Sequence, residues 1–250
     1  MRLGRHAVKL RDMDFKTGFL NANDLVDQAR KTEFGNYFFC SASTVVNASR
    51  NRDLANILNA GVAIPDSTPL AWILTGNRNC VIRGTSFTRF LLENAATMET
   101  IFLIGSTKEV LSKFSANASK MNPNVNIVGT FSPSFSDTIE TKVDLSAQLI
   151  SIKKPKYILV ALSSPQQDFF IHELSKRVPG RYFAVGAAFD FIAESKPEAP
   201  RWLQRSGLEW VFRLITEPRR LWKRYLFDNA TFLKLSLVYW ISKTKRTDQI

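Results

Sequence analysis

Residues 157–190 read YILVALSSPQQDFFIHELSKRVPGRYFAVGAAFD. The apolar run Tyr157–Leu162 predicts a buried strand, Gln166–Arg177 predicts a helix, and Tyr182–Val185 predicts a second strand. Both strands are apolar throughout, which is typical of a parallel sheet covered by helices on both faces. The segment therefore predicts a strand–helix–strand unit of an α/β protein.

The same alternation of strands and helices continues toward the N-terminus. Apolar runs and helix-start signals predict strands at Tyr37–Cys40, Val62–Ile64, Ile101–Ile104 and Val125–Val128, and helices at Thr44–Ala60, at Thr107–Met121 and from Pro69 onward, after an N-cap at Thr68. We therefore expect an α/β protein whose Rossmann-like core, with a mostly parallel sheet, occupies residues 1–195.

Polar residues follow several of these predicted strands. Ser41 and Asp66 come directly after two of them, Ser163–Asp168 follow a third, and Asp190 lies in the loop after the last strand. Ligands of open α/β sheets bind beyond the carboxyl ends of the strands. The binding site is therefore expected among these residues.

The alternation stops after Pro200, and we place a domain boundary near residue 195. Residues 201–226 are predicted to be helical with a break at Pro218, and Asp228–Ser242 to add a further helix. From residue 196 onward the chain has 12 Lys and Arg against 5 Asp and Glu, so this part holds seven of the 12 net positive charges. Residues 196–250 are therefore expected to form a basic, helical appendage with an anionic partner.

The most cationic part of this appendage is residues 207–226, GLEWVFRLITEPRRLWKRYL. Arginines at positions 213, 219, 220 and 224 are interleaved with aromatic residues. Such a helical segment suits an anionic membrane surface, and its guanidinium groups also suit a phosphate. The longest apolar candidate, Thr231–Ser242, is about 12 residues, short of the roughly 20 that a membrane span needs. Any membrane contact is therefore expected to be peripheral.

Several classes of site are excluded by composition. Two cysteines and two histidines provide neither a metal-binding spacing nor a Ser-His-Asp triad, and the two cysteines suit a reduced, cytosolic compartment. No Gly-x-Gly-x-x-Gly motif is present. The one Asp-x-Asp tripeptide, Asp12–Asp14, lies before the first predicted helix and is interpreted as a solvated strand end.

Five segments of the chain resemble the WecG/TagA/CpsF glycosyltransferases (glycosyltransferase family 26). The resemblance is most specific toward the C-terminus and covers residues 10–227 in order. The segments that carry it are Gly186–Phe191, Ala199–Trp202, Gly207–Leu226, Pro65-Asp66 and Pro165–Ile171.

The resemblance implies a UDP-sugar donor and an acceptor saccharide carried on a polyprenyl diphosphate. It also implies inversion at the anomeric carbon, no catalytic metal or other cofactor, and a C-terminal appendage that contacts the membrane and helps to complete the active site. The product would be a cell-surface polysaccharide, made at the cytoplasmic face of the membrane by a peripheral enzyme. No nucleic-acid partner is implied, and a homo-oligomer is left open.

This sequence departs from the family pattern around the expected sugar pocket. Ser41-Ala42-Ser43 stands where the family has Thr-x-Asn, and Asp66-Ser67 where it has Asp-Gly. The family's arginine three residues before Gly84 is replaced by Val81, and Arg83 lies two residues further along the same strand face. Arg83 is therefore a candidate substitute, and the donor sugar is not predicted.

Asp66 is the candidate catalytic base, with a helix cap as its alternative role. Ser41 and Ser43 are candidates to bind the donor sugar or to orient the acceptor, or else to form a turn. Gln167 at a helix N-terminus could bind the diphosphate, and Asp190 the uracil or ribose, or its own loop.

The arginines are candidate substitutes for a divalent metal at the departing diphosphate. We assign Arg213, Arg220 and Arg224 to phosphate, and Arg219 and Lys223 to lipid. Two other functions remain open: a non-enzymatic basic binding module for nucleic acid or nucleotide-sugar, and a relative that binds nucleotide-sugar without turnover.

Overall fold

The computed structural model describes residues 7–10, 13–16, 19 and 21–247. In this part of the chain the strands form one eight-stranded sheet in the order β1-β2-β4-β3-β8-β7-β5-β6, parallel except for the β1–β2 pair. The predicted α/β, Rossmann-like fold with a mostly parallel sheet is confirmed. The strands are β1 Ala7–Leu10, β2 Met13–Lys16, β3 Gly35–Cys40, β4 Val62–Pro65, β5 Thr100–Gly105, β6 Asn126–Phe131, β7 Tyr157–Ala161 and β8 Arg181–Ala184.

Helices follow most of the strands and cover both faces of the sheet, as the apolar strands predict. They are α1 Ala22–Lys31, α2 Ala42–Arg50, α3 Arg52–Ala60, α4 Thr68–Thr75, α5 Gly84–Glu93, α6 Lys108–Met121, α7 Ile139–Lys153, α8 Gln166–Arg177, α9 Ala188–Ile192, α10 Arg201–Ser206, α11 Glu209–Thr216 and α12 Pro218–Thr247.

One predicted helix is wrong. Residues 44–60 were expected to form a single helix, but the chain turns at Asn51 between α2 and α3. The Asn51 side chain accepts a hydrogen bond from the backbone N–H of Leu54 at 3.1 Å and so caps α3. A residue that caps well also ends the preceding helix, because its extended backbone interrupts the helical hydrogen bonds.

The core has one buried cluster on each face of the sheet. On one face, Tyr37 and Phe87 both stack on Phe183, with ring centroids 4.6 and 4.7 Å apart. On the other face, Phe38, Phe102 and Phe170 are buried. Successive side chains of the strands thus point to opposite faces of the sheet, and both faces are covered by helices.

The C-terminal helices pack against this core. The predicted break at Pro218 is present, but the separate helix expected from Asp228 is not, because α12 continues through residue 228 as one helix of 30 residues. Phe232 of α12 is buried in the core cluster beside α2. Within the described residues, none of the helices combines the length and apolar character needed to cross a bilayer.

Candidate functional site

A cavity of about 380 Å³ opens at the carboxyl ends of the strands. Its wall includes residues that follow β3, β4, β5, β6, β7 and β8, and residues from α11 and α12. A cavity is therefore present at the edge of the sheet where the sequence predicts the binding site. Of the candidate residues, those that line it are Ser41, Asp66, Arg83, Gln167, Asp190 and Arg213.

Asp66 occupies the turn between β4 and α4. One of its carboxylate oxygens accepts a hydrogen bond from the Gly84 backbone N–H at 2.9 Å, and its own N–H donates to the carbonyl of Cys40 at 2.9 Å. The backbone of Gly84 also packs closely on Val185, since a Cβ at position 84 would lie 2.8 Å from the Val185 carbonyl oxygen. Backbone contacts on two sides therefore hold Asp66 at the cavity.

The environment of Asp66 keeps its carboxyl poised near neutral pH. Burial and the nearby charge of Glu209 raise its pKa to about 7, although the Gly84 N–H, Arg83 and Arg213 act in the opposite direction. A carboxyl with this pKa is ionised at pH 8 and protonated at pH 6. Such a group can accept a proton from a hydroxyl at physiological pH.

Glu209 pairs with both cavity arginines of this region. It lies 3.2 Å from Arg83 Nε and 3.6 Å from Arg213 Nε. The Arg83 guanidinium also donates to the carbonyl of Gln204 at 2.8 Å and to the Thr68 hydroxyl at 3.1 Å. Arg83 thus joins the core to α10 and α11 beside Asp66.

Ser41 lines the cavity and also caps a helix. Its hydroxyl accepts from the backbone N–H of Thr44 at 3.4 Å, and the Thr44 hydroxyl accepts from the Ser41 N–H at 3.1 Å. This reciprocal capping box satisfies the first turn of α2. The turn-forming role left open for Ser41 is therefore present in the structure.

Gln167 lies in the first turn of α8, and only 4% of the residue is exposed. Its side-chain oxygen is buried and has no hydrogen-bond partner among the described residues. Because a buried amide without a partner costs free energy, a ligand in the cavity is the natural partner for this side chain. Gln167 is thus placed as a binding residue should be.

Asp190 lies on α9 at the cavity wall, where it forms an ion pair of 3.2 Å with Lys196. Its backbone carbonyl accepts from the backbone N–H and the hydroxyl of Ser195. Asp190 thus stabilises its own loop, and its place at the cavity wall keeps the alternative role of binding the uracil or ribose open.

The arginine cluster is divided by position. Arg213 lines the cavity, with its guanidinium 5.2 Å from the centre of the Phe191 ring. Arg219 is exposed and is not part of the cavity wall. The side chains of Arg220 and Arg224 lie outside the described residues, but Leu221 between them is buried at the cavity wall.

Comparison with known proteins identifies the family to which the chain belongs. The sequence profile of the glycosyl transferase WecG/TagA/CpsF family matches residues 8–246. The chain belongs to this family. It is also 32% identical over 185 residues to the N-acetylglucosaminyldiphosphoundecaprenol N-acetyl-beta-D-mannosaminyltransferase of Bacillus subtilis (strain 168), which covers 72% of this chain and 70% of the relative. The expected resemblance is confirmed, and the protein is a glycosyltransferase.

Like Arg219, the candidate Ser43 of this glycosyltransferase is not at the cavity. Ser43 is buried in α2, and its hydroxyl donates to a carboxylate oxygen of Asp228 at 2.6 Å. The expectation that Ser43 binds the donor sugar is therefore not supported by its position. The reason is the packing of α12 on α2, which brings Asp228 onto Ser43 and could not be inferred from local sequence.

Asp228 is expected to hold α12 on the core of the glycosyltransferase. It accepts from Ser43 and lies 3.8 Å from the Arg50 guanidinium. We expect Asp228→Ala to lower the free energy of unfolding by roughly 1–3 kcal/mol, because the buried Ser43 hydroxyl loses its partner. Hydrogen exchange should also become faster in α12. Lys234 is exposed on the same helix and provides the control variant Lys234→Ala. Unchanged hydrogen exchange in Asp228→Ala would show that the contact between Asp228 and Ser43 does not hold α12 on the core.

Among the residues of the cavity wall that had no role in the sequence analysis are Glu209 and Lys142. Glu209 lies within residues 207–226, where the charge pattern gave predicted roles only to the cationic residues. Burial raises the pKa of Asp168 to about 7, but this residue bonds to the Ser164 hydroxyl and is not part of the cavity wall. Lys142 belongs to α7, a helix that the apolar pattern did not predict.

No metal-binding cluster is found in the described part of the chain, judged by groups of three or more His, Cys, Asp and Glu. Asp14 of the Asp-x-Asp tripeptide lies in β2, where its backbone N–H donates to Asn59 at 2.8 Å, and Asp12 falls outside the described residues. The cavity wall instead contains cations: Arg83, Lys142, Lys196 and Arg213.

Proposed function

We propose that this glycosyltransferase moves a hexose from a UDP-sugar to a hydroxyl of a saccharide carried on a polyprenyl diphosphate. The reaction inverts the anomeric carbon, needs no metal ion, and contributes to a cell-surface polysaccharide. The observation that carries the proposal is the placement of Asp66. Its carboxyl has a pKa of about 7 and shares one cavity with Arg83 and Arg213.

Asp66 acts as the general base in this reaction. Its carboxylate takes the proton of the acceptor hydroxyl while the hydroxyl oxygen forms a bond to the anomeric carbon. The bond between that carbon and the diphosphate oxygen breaks, and UDP leaves with the electron pair. A single displacement from the opposite face gives inversion of configuration.

The departing UDP gains negative charge, which cations at the cavity stabilise. Arg213 is already at the wall, and Arg220 and Arg224 flank the wall residue Leu221. Positions 220 and 224 both belong to α12, one helical turn apart in the chain. The Gln167 side-chain oxygen, for which the described residues provide no donor, can accept a hydrogen bond from a hydroxyl of the sugar.

The acceptor class is supported by the Bacillus subtilis relative, whose name specifies an N-acetylglucosaminyl diphosphoundecaprenol acceptor. The same name specifies an N-acetylmannosaminyl group as the one transferred. The donor sugar of the present enzyme is proposed only as a hexose, because Ser41–Ser43 and Ser67 differ from the family pattern near Asp66.

Residues 196–250 are proposed to act as the membrane-contacting appendage, at the cytoplasmic face of the cell membrane. Their helices combine a net positive charge with exposed large apolar side chains, as peripheral anionic-membrane binders do. The exposed side chains are Trp202, Leu208, Trp210, Ile215, Trp222, Phe227, Leu233, Leu237, Val238, Trp240 and Ile241.

A donor screen tests the proposal. UDP-sugars are incubated with the full chain and a synthetic polyprenyl-diphosphate saccharide in detergent, and product and released UDP are measured. We expect one UDP-hexose to give a glycosylated lipid and an equal amount of UDP. UDP binding without turnover on any donor would identify an inactive relative, and salt-sensitive RNA binding without UDP binding would favour a nucleic-acid module.

A further inference from the structure

Lys142 is a buried cation at the cavity wall. Only 3% of the residue is exposed, yet it lines the cavity. The other cations described at this wall have carboxylate partners: Arg83 and Arg213 pair with Glu209, and Lys196 pairs with Asp190. Within the described part of the chain, the Lys142 ammonium has neither an ion-pair nor a hydrogen-bond partner.

The fold gives no reason for a lysine at this position. Its side chain is almost entirely buried, and the small part that remains accessible includes the ammonium group, which faces the cavity without a counter-charge. Partial loss of water around a cation that has no counter-charge is unfavourable. Lys142 is also the fourth residue of α7, close to the helix N-terminus, where the macrodipole disfavours a positive charge. An anion that enters the cavity would satisfy the ammonium group, and the site is therefore built for a negatively charged ligand.

The sheet order separates Lys142 from Asp66. Asp66 follows β4, whereas α7 follows β6, and the two strands are five positions apart in the sheet. At about 4.8 Å per strand this is roughly 24 Å along the edge. Lys142 therefore contacts a different part of a bound ligand from the part at Asp66, and it does so from the core, not from the C-terminal helices.

We infer that Lys142 binds a phosphate group of the nucleoside diphosphate part of the donor. The inference rests on the proposed function, since that function supplies a ligand with a sugar at one end and phosphates further along. A lysine is a point charge that suits a phosphate oxygen. The diphosphate of the lipid acceptor has the same chemistry, so the test must separate the two sources.

The test is UDP binding by the full chain, measured by calorimetry. Lys142→Met keeps the length of the side chain and removes its charge, and exposed Lys153 on the same helix gives the matched control Lys153→Met. We expect Lys142→Met to bind UDP about 10-fold more weakly, which corresponds to about 1.4 kcal/mol. Binding of uridine, followed by ligand-detected NMR, should be unchanged, as should UDP binding by Lys153→Met.

Thermal unfolding of the ligand-free proteins separates binding from a structural role. Because Lys142→Met removes a charge that has no partner in the described structure and keeps the buried apolar stem, its melting temperature should be no lower than that of the wild type. The increase in melting temperature on adding UDP should be smaller for this variant. A lower melting temperature with unchanged UDP affinity would assign Lys142 to the fold and overturn the inference.

The remaining outcomes distinguish this inference from the proposed function. If the wild type binds UDP and Lys142→Met binds it equally well, the inference is wrong and the proposed function stands. If only binding of farnesyl diphosphate weakens, Lys142 serves the acceptor and the donor assignment is wrong. If the wild type does not bind UDP, both proposals fail.

Discussion

Asp66→Asn is expected to reduce the rate of sugar transfer by about 10³-fold, the size of a general-base contribution. The amide cannot accept the acceptor's proton, although its oxygen can still accept the hydrogen bond from Gly84. The backbone should therefore keep its conformation. Initial rates with the lipid-linked acceptor measure the effect, and unchanged UDP affinity shows that the cavity is intact.

The pH dependence of the wild type provides a second readout of Asp66. The base works only when ionised, so kcat/KM should rise with pH until about 7 and then level off. Asp168 is the matched control, because burial also raises its pKa to about 7 but it is not at the cavity wall. Asp168→Asn should keep the pH dependence. Near-wild-type transfer by Asp66→Asn would exclude Asp66 as the base.

Simultaneous replacement of Arg213, Arg220 and Arg224 by Met is expected to reduce transfer by at least about 10³-fold. Loss of a single preorganised donor at a developing anion already costs about 10²–10³-fold, and we propose that three cations stabilise one leaving group in this enzyme. Rates should be measured in detergent with saturating acceptor, so that weaker membrane binding does not enter the result.

Arg219→Met is the control for the arginine variant. Arg219 is exposed and outside the cavity wall, so transfer in detergent should persist, whereas binding to anionic liposomes should weaken. Undiminished transfer by the triple variant would show that the arginines do not stabilise the leaving UDP. If Arg219→Met lost as much transfer activity as the triple variant, the loss would reflect the lower positive charge of the protein and not a specific role of the three arginines.

Much of the fold is encoded locally. The bounds predicted for α8, Gln166–Arg177, are those observed, because Pro165 precedes the helix and the apolar positions repeat at helical spacing. The helix α7 was not predicted because its apolar residues show little helical periodicity. The helix α5 was missed although Phe87, Phe90 and Leu91 repeat at helical spacing. The turn at Asn51 was missed because a cap within a helical pattern resembles an ordinary polar helix residue.

The candidate site was predictable where it depends on strand ends. Asp66 directly follows β4, Gln167 lies at the start of the helix that follows β7, and both reach the cavity. Ser43 and Lys142 depend on tertiary packing: α12 covers Ser43, and the fold buries Lys142, a residue type that is ordinarily solvated. A sequence shows which residues carry charge, but only the packed structure shows which charges lack partners.

The central claim is that fixed cations of the protein, not a metal ion, neutralise the leaving nucleotide. The most direct measurement is the transfer rate of the wild-type enzyme, with its UDP-sugar and a synthetic polyprenyl-diphosphate acceptor, in excess EDTA and in MgCl₂. We expect the same transfer rate in EDTA and in MgCl₂. Loss of transfer in EDTA that is restored by added Mg²⁺ would contradict it.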